Sequence, residues 1–236
     1  MTLLKKHLAP IDEGVWGFIE DEARSILEQK LTGRKVVDII GPKGLDYAAY
    51  NTGRSKELDV DDETAKYSLR NVLPLVEIEV PFTISRKEIE AYLRGAKDVD
   101  LDELIEASGK IAKIENNALY YGIEAAGIEG LTSVSDHVKI DISEETGLLT
   151  PITSAIQALR KESVEGPYNF VVGPYLYTLL YKLDENGYPL KKKINELIEG
   201  NIIFAEELGD QGLLLAARDN DFELIIGQDI SIGFKQ

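Results

Sequence analysis

Two histidines and no cysteine narrow the chemistry open to this chain of 236 residues. Without cysteine there is no thiolate nucleophile, no disulfide framework and no thiolate metal site. His137 closes the run Ser133-Val134-Ser135-Asp136-His137. Adjacent side chains diverge, however, whereas a nucleophile, a base and an orienting carboxylate converge from separate segments. His7 stands in the N-terminal arm. Neither histidine has a partner at the spacing of a helical zinc pair or of a carboxylate-bridged di-iron motif. Carboxylates are abundant, but Asp59, Asp61, Asp62 and Glu63 lack the oxygen spacing and central glycine of a calcium loop. Glu206-Glu207 and Asp219/Asp221 flank turns and read as solvated faces. A glycosidase-type acid/base pair stays open, because its members can be distant in sequence. Gly122, Gly127 and Gly130 lie at a helix end without the spacing or the lysine of a phosphate loop, and read as helix stops. Tyr168, Tyr175, Tyr177 and Tyr181 form an aromatic stripe without interleaved basic residues, which favours core or interface packing over base stacking. No self-contained active site emerges, and no cofactor or metal site is expected.

The elements that would position these residues follow from periodicity. Residues 1–10 read as an extended arm. Asp12 is a helix N-cap, and Val15, Trp16, Ile19, Ala23, Ile26 and Leu27 recur at three and four spacing on one face, with Gly33 as the stop. Residues 35–40 read as a strand. Residues 45–70 have apolar and aromatic residues but no clean period. Leu75 to Val80 alternates as a strand does, and Pro74 and Pro81 confine it to an edge. Ser85-x-x-Glu88 opens a short helix to Leu93, closed at Gly95. The longest helical pattern runs over 100–126, from Asp100 or Asp102. Helices over 148–162, after Gly173-Pro174, and over 190–199 alternate with strands at 170–172, 201–206 and 213–217, and with two strand pieces about Gly227. Strands and helices mix without a regular βαβ repeat, so the fold class is α+β.

Composition sets wider limits. An apolar share of 44% and a charged share of 29% are those of a globular chain, not a disordered one. A formal net charge of −16 repels phosphate backbones and argues against nucleic acid as the main partner. No stretch approaches the length of a transmembrane helix, and the N-terminus lacks the apolar core of a signal peptide, so no membrane partner is expected and a cytoplasmic setting is.

Four segments then line up. GRKVVDIIGPKGLDYAA (33–49), LPLVEIEVPF (73–82), EGPYNFVV (165–172) and FELIIGQDISIGF (222–234), in this order and spacing, resemble the encapsulins. These are bacterial and archaeal nanocompartment shell proteins of the HK97 bacteriophage capsid fold. The resemblance implies an N-terminal helix and the start of a peripheral domain over 1–44, and an extended E-loop over 45–82. It implies the peripheral domain with its spine helix over 83–130, an axial domain over 131–214, and a return to the peripheral domain over 215–236. The E-loop, with Tyr47, Tyr50 and Leu58, would reach over a neighbouring subunit, and that would explain a weakly periodic arm. The chain would close on itself into an icosahedral shell, roughly sixty copies in the smallest case. Cargo proteins would bind inside by C-terminal targeting tails, in a groove where Arg34 and Asp38 fix register and Ile230 and Ile232 form the far wall. A structural ion pair between Arg34 and Asp38 is the plainer alternative. The turn Asp184-Glu185-Asn186-Gly187 would line the five-fold pore, where an acidic ring would concentrate cations such as iron. A plain solvated turn is the alternative there. Cargo chemistry, iron oxidation or peroxide handling, would belong to another protein, and this chain would not be an enzyme.

Family members continue past Phe234-Lys235-Gln236 through further strands, and these would be supplied by a second chain, have been cut, or mark a different shell. Two rival readings stand beside the shell. One is a phage or prophage major capsid protein of the same fold, disfavoured by the short N-terminal region. The other is a soluble α+β enzyme with dispersed carboxylates.

Overall fold

The computed structural model describes residues 4–61, 64–133, 139–142, 147–182 and 187–235. In chain order the elements are α1 (Glu13–Lys30), β1 (Asp38–Ile40), β2 (Ala49–Leu58), β3 (Tyr67–Pro74), α2 (Arg86–Leu93), α3 (Asp102–Tyr121), β4 (Gly122–Ile123) and β5 (Ile128–Glu129). There follow α4 (Leu149–Lys161), β6 (Tyr168–Val172), α5 (Pro174–Leu179), α6 (Leu190–Ile198), β7 (Glu199–Phe204), β8 (Gly212–Ala216) and β9 (Glu223–Ile225). The chain divides into two compact units. The first holds Met1–Leu31, Ile40–Glu115 and Ile225–Gln236, and the second holds Thr32–Ile39 and Asn116–Leu224.

In the first unit α1 begins where Asp12 accepts the N–H of Val15 at 2.9 Å. Its apolar face then closes on a core. Val15, Ile19 and Ala23 are buried with Leu101 and Leu104 at the start of α3, and Phe82, Ile84, Ile89 and Ile232 pack around them. Phe18 stacks on Tyr92 of α2, with centroids 4.3 Å apart. Burial of Val15 and Ile19 stabilises the helix by about 2 kcal/mol each. Asp12→Ala leaves a first-turn N–H without its acceptor and should cost about 1 kcal/mol, read as a lowered thermal midpoint by circular dichroism. Ser85 caps α2 through the N–H of Glu88 at 3.2 Å. The reciprocal half of the capping box is diverted, because the Glu88 carboxylate accepts the N–H of Asp100 instead, at 3.1 Å.

In the second unit a three-stranded sheet in the order β7-β6-β8 forms the centre. β6 runs parallel to β7 and antiparallel to β8. Every residue of β6 is buried, so it reads in sequence as a short unbroken apolar run. Its side chains alternate between two cores. Tyr168, Phe170 and Val172 face the helical layer with Ile152, Ile156, Leu176, Leu180, Ile194 and Ile198. Val171 faces the opposite side with Tyr120, Leu131, Ile203, Leu208 and Leu215. The parallel β6–β7 pair needs a long crossover, and α5 and α6 supply it.

Several expected elements differ. The 100–126 helix stops at Tyr121, because Gly122 adopts a φ of +80° and its missing Cβ makes room for the carbonyl of Ile128. The in-phase apolar residues beyond it instead form the small β4–β5 hairpin. Gly33 does not stop α1 through a left-handed φ. The helix ends at Lys30, and Gly33 opens a 3-10 turn to Lys35, where a Cβ would strike the side chain of Leu119. The strand expected over 35–40 is thereby shortened to β1. The 1–10 arm is extended only in part, since Lys6–Leu8 forms a 3-10 turn. Leu75 to Val80 forms no strand, since prolines at 74 and 81 remove the N–H groups at both ends of the run. Past Gly227 no second strand forms. That segment is held at its end by the N–H of Phe234 donating to the carbonyl of Leu4 at 2.8 Å.

Candidate functional site

The residues read as a formless arm build a long antiparallel hairpin. Leu58 pairs with Tyr67, Ser55 with Arg70, and Tyr50 with Leu73. Between Asn51 and Ser55 the register shifts, so Thr52, Gly53 and Arg54 of β2 lie opposite Asn71 alone. The bulge is built from its own polar groups. Asn51 accepts the N–H of Gly53 at 3.0 Å, Gly53 takes a φ of +70°, and the Thr52 hydroxyl donates to the carbonyl of Asn71 at 2.8 Å. That shift hid the strand period from sequence reading on β2. On β3 part of the signal was present, because Tyr67 and Leu69 alternate with Ser68 and Arg70.

All eight residues of β3 are exposed. Leu69 is 57% exposed, Val72 51% and Leu73 43%, so apolar side chains stand in water on a two-stranded ribbon. Such a ribbon is marginal alone, and among the described residues the sheet has no third strand. Of the residues named for this contact, Leu58 is exposed, while Tyr47 and Tyr50 are half-buried. Sequence reasoning missed Leu69, Val72 and Leu73.

The residues named for a cargo groove fall in both units. Arg34 sits in the 3-10 turn of the second unit and Asp38 opens β1, so they do not share one extended segment. The Asp38 carboxylate accepts the N–H of Asn220 at 2.5 Å, where Asn220 holds a left-handed φ of +66°. Asp38 therefore fastens the turn that joins β8 to β9. The Arg34 turn is fixed from beneath by a buried polar cluster. Fully buried Asn116 accepts the N–H of Gly33 at 3.0 Å and donates to Glu207 at 2.9 Å. Thr32 and Tyr120 hydroxyls meet at 3.1 Å, and burial pushes the Tyr120 phenol up to about 12, so it stays neutral. Glu207 is thus a structural partner and not a merely solvated acid. In the first unit Ile232 packs on the α1 core, and Ile230 is half-buried outside it.

Gly187 is exposed with a φ of +77°, while Asp184, Glu185 and Asn186 lie outside the described residues, as does His137. His7 is exposed in the N-terminal 3-10 turn. Among the described residues no three of His, Asp and Glu gather as a metal-holding group, and no helix is long and apolar enough to cross a membrane.

The fold defines a class. It matches a chain from the crystal structure of the virus-like particle from Pyrococcus furiosus with a TM-score of 0.57 at 17% identity, over 89% of this chain and 84% of that one. The architecture is therefore the HK97 capsid type, mixed α+β. Sequence narrows the class. A family profile described as "Encapsulating protein for peroxidase" matches residues 1–236. The type 1 encapsulin shell protein of Mycolicibacterium paratuberculosis is 38% identical over 99% of this chain and 88% of its own length. That of Rhodospirillum rubrum is 39% identical over 99% of this chain and 86% of its own length. The chain belongs to the encapsulin shell protein family.

Proposed function

We propose that the chain is a structural shell subunit whose copies close into an icosahedral compartment, roughly sixty in the smallest case, around a cargo protein. The observation that carries this reading is the β2–β3 hairpin, a two-stranded ribbon on which Leu69, Val72 and Leu73 stand exposed. Laid on a neighbouring subunit, those side chains would be buried and the ribbon would gain a partner. The first unit would supply the peripheral domain and this E-loop, and the second the axial domain. Their division within α3, after Glu115, would place part of the spine helix in each.

Cargo would enter by a C-terminal tail whose apolar side chains contact Ile230 and Ile232 of the first unit. Asp184, Glu185, Asn186 and Gly187 would line a pore for small solutes. The role is structural, in the cytoplasm, with no cofactor of its own, and any iron or peroxide chemistry belongs to the cargo.

The test is capture. The enclosed protein is identified by mass spectrometry of shells isolated from source cells, and its C-terminal tail is fused to a fluorescent reporter. Co-expressed reporter should co-elute with the shells and resist protease, and Ile230→Asp should lower loading about tenfold. A tailed reporter that loads no better than a tailless one would contradict the reading.

A further inference from the structure

A chain of net charge −16 that must pack against copies of itself faces like-charge repulsion at every contact, unless positive charge is concentrated where copies meet. Lys191-Lys192-Lys193 is the only run of three consecutive Lys or Arg residues in the sequence. It occupies the first turn of α6, which has no acidic residue and no side-chain cap. The helix dipole disfavours that placement, because it presents partial positive charge at this end, although Lys192 gains a hydrogen bond to Tyr188 and the nearby charge of Glu196. The first two N–H groups of the helix are already used. Leu190 donates to the carbonyl of Lys182 at 3.2 Å, and Lys191 donates to that of Leu180 at 3.0 Å. The ammonium groups of Lys191 and Lys192 are therefore what this end presents to an anionic partner.

The lysines stand on aromatic rings. Lys191 lies 5.4 Å from the centroid of Tyr181, and Lys192 lies 5.3 Å from that of Tyr188. Tyr181 bonds Tyr177 through their hydroxyls at 2.9 Å, and Tyr177 meets Phe204 edge-on with centroids 4.9 Å apart. Tyr181 is 56% exposed and Phe204 41%. A connected surface thus runs through the second unit from Phe204 across Tyr177 and Tyr181 to the lysines. Its aromatic residues match the make-up of interface cores, and its lysines add charge at the margin.

We infer that this aromatic and basic surface docks an acidic face of a second copy of the chain. The inference rests on the shell reading above, adds a contact distinct from the hairpin, and can fail by itself. Charge complementarity selects the occupant, since the chain carries 42 acidic residues against 26 basic ones and so presents mainly acidic surface to its copies.

Shells grown from equal amounts of light and heavy-isotope chains are treated with a zero-length carbodiimide, which joins a lysine amine to a carboxylate in contact. Mass spectrometry should find Lys191, Lys192 or Lys193 joined to an Asp or Glu in mixed-isotope pairs. Lys191→Gln, Lys192→Gln and Lys193→Gln together should raise the subunit concentration needed for assembly about tenfold, with near-ultraviolet circular dichroism unchanged. The triple arginine variant should assemble as the parent does. Crosslinks confined to single-isotope pairs, crosslinks to cargo only, or unchanged assembly of the glutamine variant would each overturn the inference while the shell stands. A parent chain that forms no shells overturns the shell reading first and this inference with it.

Discussion

Leu69→Asp combined with Leu73→Asp is expected to abolish closed shells and leave a folded, unassembled subunit. Both side chains are exposed on β3 and belong to none of the three cores, so their loss costs the monomer little. In a shell each would be buried against a neighbour, and a carboxylate there would be desolvated without a partner. Loss of about 2 kcal/mol or more per contact weakens each pairing by more than about tenfold, and closure compounds that loss over every copy. Size-exclusion chromatography with light scattering reads the assembly state, and circular dichroism reads the fold. Shells at the parent yield would show that the hairpin is not an assembly arm.

The second large effect is on stability. Asn116→Leu leaves the buried N–H of Gly33 without an acceptor and the Glu207 carboxylate without its amide donor. The expected cost is about 2–3 kcal/mol, most of it from the backbone N–H, since half-buried Glu207 can recover water. It is best measured by urea unfolding in the hairpin variant, where shell contacts no longer add to stability. A difference under about 0.5 kcal/mol would mean that the Thr32–Lys35 turn holds its place without Asn116.

Much of the fold was legible in the sequence for identifiable reasons. α1, α2 and β6 each combine a clear period or apolar run with a cap or glycine boundary, α4 has its period alone, and all four appear where expected. Failures came where local period was overridden. α3 ends at Gly122 because one left-handed residue outweighs the in-phase apolar residues beyond it. Gly33 is required for close approach to α3, a tertiary fact with no local signature. The β2–β3 hairpin was the hardest element, since its bulge breaks the period and Leu69, Val72 and Leu73 stand exposed rather than on a core face. The polar cluster around Asn116 was illegible for a related reason, because residues 33, 116 and 207 meet only in the folded unit. The candidate site itself came chiefly from resemblance. The structure changes its local setting by giving Arg34 a turn and Asp38 a structural bond to Asn220.

The most direct test of the shell is the mass of the assembled particle in solution, measured by native mass spectrometry on the chain expressed alone. Closure predicts one discrete species, about 1.6 MDa for sixty copies of a 26.2 kDa chain or a larger icosahedral multiple, with no ladder of intermediates. A monomer or small oligomer at every concentration, with no such species, would contradict it.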